Sequence, residues 1–148
     1  MPRSRRSKAP RPPSAPGSDR TRYASGTPWE PKVGYSRAVR VGSRIYVSGT
    51  TATAPGGALV GLGDAYAQTV QALDNIERAL AALGGERGDI VRVRVYVTDL
   101  RDFEAIAKAL GERFAEVRPA NTLVQVAALI DPAMKVEIDA DAEVPAGR

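Results

Sequence analysis

Apolar and polar residues alternate with a period of two in several stretches of the chain and recur at three- and four-residue spacing in two others. From Val33, residues Tyr35, Arg37, Val39 and Val41 interleave with Ser36, Ala38 and Arg40. Gly42-Ser43 then turns the chain into Arg44-Ile45-Tyr46-Val47-Ser48-Gly49, which predicts two strands joined as a hairpin. The stretch from Pro55-Gly56-Gly57 to Gly61-Leu62-Gly63 is turn chemistry, and it delivers the chain to Asp64, an N-cap for a helix over residues 65–83. That helix carries the stripe Tyr66, Val70, Leu73, Ile76, Leu80 and Leu83, and Gly84-Gly85 ends it. Residues 90–98 read as a strand with Val91, Val93, Val95 and Val97 on one face and Ile90, Arg92, Arg94 and Tyr96 on the other. Asp99 or Asp102 caps a second helix with the stripe Phe103, Ile106, Leu110 and Phe114, which must stop before Arg118-Pro119. Two strands follow, Thr122 to Leu129 and Met134 to Ala142. In the latter, Val136, Ile138, Ala140 and Ala142 alternate with Lys135, Glu137, Asp139 and Asp141.

The predicted order is ββ-α-β-α-ββ, an α+β domain with amphipathic helices on one face of a mixed sheet. The second sheet face is charged, yet it also carries Tyr46 or Ile45, Tyr96 and aliphatic neighbours. That is the composition of a face covered in a homo-oligomer.

A length of 148 residues suits one core. The expected division is a disordered basic tail over 1–22 and a single domain over 23–148. The tail is rich in Pro, Ser and Arg and has no large apolar residue after Met1, so it cannot offset its ordering entropy by burial. It holds seven basic side chains against Asp19, while the remaining residues carry 14 basic and 16 acidic ones. The high isoelectric point therefore belongs to the tail. A nucleic-acid partner is expected at most weakly, through that tail. No apolar run approaches the roughly 20 residues that span a bilayer, and no apolar segment follows the N-terminal charges. A membrane partner is not expected, and the cytoplasm is the expected compartment. The chain has no histidine and no cysteine. Thiol and Ser-His-Asp chemistry are closed to it, and no metal site or cofactor is expected.

Four segments carry a family resemblance: VGYSRAVRVGSRIYVSGT at 33–50, DNIERAL at 74–80, VRVRVYVTDLRDFEAI at 91–106, and RPANTLVQVAALIDPAMKVEIDADA at 118–142. Together they resemble the RidA/YjgF family of reactive-intermediate deaminases over residues 33–142. The resemblance implies a chorismate-mutase-like homotrimer with sheets inward, helices outward and small-molecule clefts between subunits. In the deaminase branch it also implies cofactor-free hydrolysis of reactive enamines and imines to 2-oxo acids and ammonia. An imine carbon is already electrophilic, so an oriented water and one proton-transfer group suffice.

Carried over by position, the resemblance assigns Tyr35 and Glu137 to the catalytic group. Ser48, Asn121, Thr122, Leu123 (through its carbonyl) and Arg118 are assigned to substrate binding. One position departs from the pattern: Asn121 stands where the deaminases have a carboxylate-gripping arginine, so the charged fork is gone. Arg37 and Arg118 are the two candidates to replace that cation. Ala107 stands where the family has a cleft asparagine, and Thr50 where a glutamine often follows Ser48-Gly49. Each residue has a plainer reading as well. Glu137 fits an ion-paired sheet face, Tyr35 a strand aromatic, Ser48 a strand end, Asn121 a turn residue and Trp29 the domain edge.

Three functions follow. The first is a RidA-like hydrolase of enamine or imine C–N bonds acting on a non-standard substrate. The second is a non-catalytic metabolite-binding trimer. The third is endoribonuclease-type RNA binding, which the absent histidine and the net negative domain disfavour.

Overall fold

In the computed structural model, which describes residues 19–148, the alternating stretches pair into one six-stranded sheet. The strands are β1 (Arg20–Tyr23), β2 (Ala38–Val41), β3 (Arg44–Thr50), β4 (Ile90–Val97), β5 (Ala120–Gln125) and β6 (Val136–Glu143). Their spatial order is β1-β2-β3-β6-β4-β5. All neighbours are antiparallel except β4 and β5, which run parallel, the arrangement a helical crossover requires. The helices are α1 (Trp29–Val33), α2 (Ala65–Ala82) and α3 (Phe103–Phe114), and α2 and α3 lie against one face of the sheet.

The core between helices and sheet holds Leu73, Ile76 and Leu80 of α2, Ile106 of α3, and Val93, Val95, Val97, Val136, Ile138 and Ala140 from the central strands. Each large side chain there is worth about 1.5–3 kcal/mol of burial. The alternation expected for β6 is realised without a break. Asp64 caps α2 as its position predicts, accepting the Ala67 amide at 2.9 Å. Asp99 caps a short 3₁₀ turn through the Arg101 amide, while Asp102 precedes α3 and spends its carboxylate on Lys135 at 3.1 Å.

The structure corrects the sequence reading at several points. β1 begins at Arg20, inside the stretch assigned to the tail, and pairs with β2 from Arg20↔Val41 to Tyr23↔Ala38. Its residues are polar enough to read as tail because β1 is an edge strand with exposed side chains. Residues 1–18, the rest of the expected tail, lie outside the described residues. At the start of the strand expected from Val33, that residue instead ends the short helix α1, closed by Gly34 at φ 81°, and the strand itself, β2, begins only at Ala38. Ala38 rather than Val39 or Val41 therefore faces the core. In β4 a register shift between Ile90 and Arg92 reverses the first two residues, so Ile90 is buried and Val91 is 50% exposed. β5 ends at Gln125 rather than Leu129. Helix α3 starts at Phe103 after Asp102, one of the two expected caps, but Phe103 itself is exposed at that first helical position rather than part of the buried stripe.

Candidate functional site

The site grows from an irregularity in β3. Val47 pairs with Ala140 and Thr50 with Ile138, so β3 takes one more residue than β6 between these points, a bulge at Ser48-Gly49. Bulges bend a strand and re-aim the residues opposite. Here the bend brings the bare Cα of Gly49 under the Glu137 carboxyl group. A Cβ at residue 49 would overlap Oε1 and lie 3.0 Å from the carboxyl carbon.

Three neighbours complete this corner. Arg37 crosses from the segment before β2 and donates through Nη1 to the Gly49 carbonyl at 2.8 Å and to Thr50 Oγ1 at 3.1 Å. The Thr50 hydroxyl is buried and donates in turn to the Ser48 carbonyl at 2.7 Å. The Tyr35 ring lies 5.4 Å from the Arg37 guanidinium carbon, within cation–π range. Ser48 Oγ donates to the Ser36 carbonyl at 2.7 Å, which ties the Tyr35-bearing segment to the bulge and leaves the hydroxyl lone pairs as acceptors.

Glu137 is half-buried and accepts no hydrogen bond among the described residues, unlike its neighbours on β6. Asp139 is held by Arg94 at 2.8 Å and Tyr96 at 3.1 Å, and Asp141 by Arg94 at 3.3 Å. Burial pushes the Glu137 carboxyl above the usual carboxylate range. The Arg37 charge opposes that push, the Asp139 charge adds to it, and the net is upward. A carboxyl group without partners and raised by burial is suited to moving protons, whereas an ion-paired one is held ionised.

Tyr35 and Ser48 are thus tied, through Arg37, Ser36 and the bulge at Gly49, to the corner that holds Glu137. The other assigned residues lie elsewhere on the same protomer. Asn121 aligns with core-facing Val93 and opens into a groove of about 390 Å³ lined by Leu110, Gly111, Phe114, Ala115, Arg118 and Pro119. Arg118 sits at φ 49°, four residues beyond the end of α3, its amide bonded to the Phe114 carbonyl at 2.8 Å. Of the two candidate cations, Arg118 accompanies Asn121 and Arg37 accompanies Glu137. Thr122 is exposed and aligned with Arg94, and Leu123 is packed against the core. Ala107 is half-buried on α3. Trp29 opens α1, 45% exposed, with Lys32 Nζ 5.2 Å from its ring.

Sequence reasoning missed Gln68. Buried on α2, it donates to the Gly61 and Ala133 carbonyls and accepts the Lys135 amide at 2.8 Å. It anchors the turn that leads into Glu137. Gln68 lies outside the apolar stripe read from the sequence, and its burial follows from the 133–135 turn, whose Ala133 carbonyl and Lys135 amide it bonds. Among the described residues there is no cluster of three or more carboxylates, histidines or cysteines fit to hold a metal ion, and no helix is long and apolar enough to cross a membrane.

The architecture is that of a two-layer α+β domain, helices on one face of a six-stranded sheet, with a carboxylate set over a strand bulge. The sequence profile of the family described as Endoribonuclease L-PSP matches residues 26–144, and the chain belongs to that family, also called YjgF/RidA. A crystal structure of a Mycobacterium tuberculosis member of the YjgF/YER057c/UK114 family is 44% identical, with a TM-score of 0.76 over 84% of this chain and 99% of that one. The 3-aminoacrylate deaminase RutC of Acinetobacter baylyi is 35% identical over 80% of this chain and 93% of its own. The 2-iminobutanoate/2-iminopropanoate deaminase of Capra hircus is 35% identical over 72% and 77%.

Proposed function

We propose that the protein hydrolyses the C–N bond of a small reactive imine or enamine, releasing a carbonyl compound and ammonia, without a cofactor. The observation that carries this reading is the Glu137 carboxyl: half-buried, free of hydrogen-bond partners among the described residues, and set over the bare backbone of Gly49. The imine reacts in its protonated form: water adds to the carbon while Glu137 takes one of its protons, which gives a neutral amino alcohol. Glu137 returns that proton to nitrogen and then takes the hydroxyl proton as the C–N bond breaks, so that ammonia departs and the carbonyl forms. Tyr35 and the lone pairs of Ser48 line the approach. The deaminase names of two relatives support the reaction class.

The reading includes a homotrimer. On the sheet face away from the helices, Tyr46 and Val91 are 44% and 50% exposed and share a groove with Arg44, Arg92 and Asp141. Exposed apolar surface between charges of both signs favours burial against copies of itself. Assembly would also place the Asn121–Arg118 groove of one protomer beside the Glu137 corner of another, so that Asn121, Arg118, Thr122 and the Leu123 carbonyl join Tyr35, Ser48 and Glu137 in one cleft. The cytoplasm remains the proposed compartment.

The test is ammonia release from freshly generated 2-aminoacrylate, 2-iminobutanoate and 3-aminoacrylate, with sedimentation of the same preparation. We expect a trimer whose turnover of at least one substrate exceeds the buffer rate and is lost in E137Q. Asn121 favours a second reading, a non-catalytic metabolite-binding trimer, because an uncharged residue stands at the ligand anchor. Co-purifying ligand without turnover of any imine would select it.

A further inference from the structure

We propose that Arg37 is the anion-binding residue of the Glu137 corner: its guanidinium receives the carboxylate of the ligand, so that the molecule is gripped from the β3 bulge rather than from residue 121. This rests on the reading of that corner as a small-molecule site and names the class of molecule it takes, a small organic acid.

Four observations carry the inference. Arg37 is half-buried, yet among the described residues its only hydrogen-bond acceptors are a carbonyl and a hydroxyl, and none of their carboxylates lies within ion-pair distance of it. The other half-buried arginines of the sheet and helices differ. Arg94 is paired with Asp139 and Asp141, and Arg113 with Asp74 and Glu77. Arg40 spends all three of its nitrogens on carbonyls. Arg37 spends one.

Next comes the edge that is left. Both contacts use Nη1, and Nε is buried with no partner among the described residues. Nε and Nη2 form the side-on pair of parallel donors that fits a carboxylate, and a buried N–H without an acceptor calls for one. The guanidinium is also held before any ligand arrives. Nη1 is fixed by the Gly49 carbonyl and Thr50, and the Tyr35 ring lies 5.4 Å from its carbon, so little side-chain freedom remains to be lost on binding. Thr50 is short enough to lie beneath the guanidinium while its hydroxyl accepts from it. Finally, the carbonyl that Arg37 holds belongs to Gly49, the residue that lies under Glu137. An anion on Arg37 therefore presents its adjacent carbon to the proton-transferring group.

The experiment titrates 2-oxobutanoate and its uncharged amide, 2-oxobutanamide, into the wild-type protein and R37M, with calorimetry as the readout and circular dichroism as the check of folding. We expect the wild type to bind the acid at least tenfold more tightly than the amide, and R37M to bind the two alike. Retention of the wild-type preference in folded R37M, or no preference in the wild type, overturns the inference. If R37M does not fold, the Nε–H resonance of Arg37 in the wild-type ¹⁵N spectrum decides. It should move downfield with the acid and stay with the amide, and no movement with the acid overturns the assignment. Arg37-dependent binding of the acid by a protein that turns over no imine leaves this inference standing and removes only the hydrolytic reading.

Discussion

The Glu137 carboxylate occupies the space that a side chain on residue 49 would need, so glycine at 49 and glutamate at 137 form a steric pair across β3 and β6. The atoms in conflict are the far end of a flexible side chain rather than backbone. In G49A, Glu137 should swing away at a cost of about 1 kcal/mol to the fold. Displacing the group from its reacting position should cost about 10²-fold in turnover. A thermal melt beside an ammonia assay separates the two effects, and full turnover in G49A would show that the position of Glu137 is irrelevant.

Replacing Glu137 itself tests the proton-transfer role and the sign of its electrostatics together. In E137Q, turnover should fall by roughly 10²–10⁴-fold, the usual worth of a positioned acid–base group. The folded-state pKa of Glu137 is raised above the ordinary value of 4.5, chiefly by burial. The folded state therefore binds this proton more tightly than the unfolded chain does. The resulting stability is present below 4.5 and is lost as the pH rises through the higher folded value. At neutral pH the ionised carboxylate is a net cost, and E137Q should melt no lower than the wild type. Under acid conditions any advantage should disappear. A melt series from pH 3 to 8 (about the range in which carboxylates and their raised forms titrate) checks this, and a large loss of stability in E137Q at neutral pH would contradict it.

Gln68 is a structural support for the site. Leucine at this position would strand the Gly61 and Ala133 carbonyls and the Lys135 amide that Gln68 now satisfies. Q68L should lose about 2–3 kcal/mol in urea unfolding. It should also loosen the turn into β6, seen as faster amide exchange at Lys135. An unchanged midpoint would show that water replaces the side chain.

Arg118 holds a left-handed backbone conformation, φ 49°, four residues beyond the end of α3, which costs a residue with a Cβ about 1–2 kcal/mol. R118G should therefore raise the stability of the domain by about 1 kcal/mol while removing the cation from the Asn121 groove. A higher melting temperature with weaker ligand binding is the expected pair of results. A lower melting temperature would mean that the side chain contributes more than the backbone strain costs.

The elements with strong periodicity were legible in the sequence. The Val93, Val95, Val97 alternation, the β6 alternation and the Leu73, Ile76, Leu80 stripe each had one way to bury their apolar side. Errors fell where few residues carry the pattern or where the chain departs from a regular period. β1 has only Tyr23 partly buried, the five residues of α1 are too few to show a helical repeat, and the extra residue near Ile90 inverts an alternation that looks continuous. The candidate site was legible as a set of residues, through their match to a family pattern. Its division into two corners was not, because Asn121 and Glu137 lie on strands separated in space by β4.

By itself the sequence determined the class of fold, the core of the central strands and helices, and a chemistry without histidine or cysteine. These depend on residue types and on local period, which the chain carries explicitly. Only the tertiary structure decided which arginine stands beside Glu137. Along the chain Arg118 was the arginine assigned to substrate binding, and Arg37 was named only as an alternative cation. The β3 bulge offers a carbonyl and a hydroxyl that hold Arg37 at Gly49, whereas Arg118, its amide bonded to the Phe114 carbonyl, lines the groove that also holds Asn121. That choice rests on hydrogen bonds between residues distant in sequence, and these form only once the sheet has set its register.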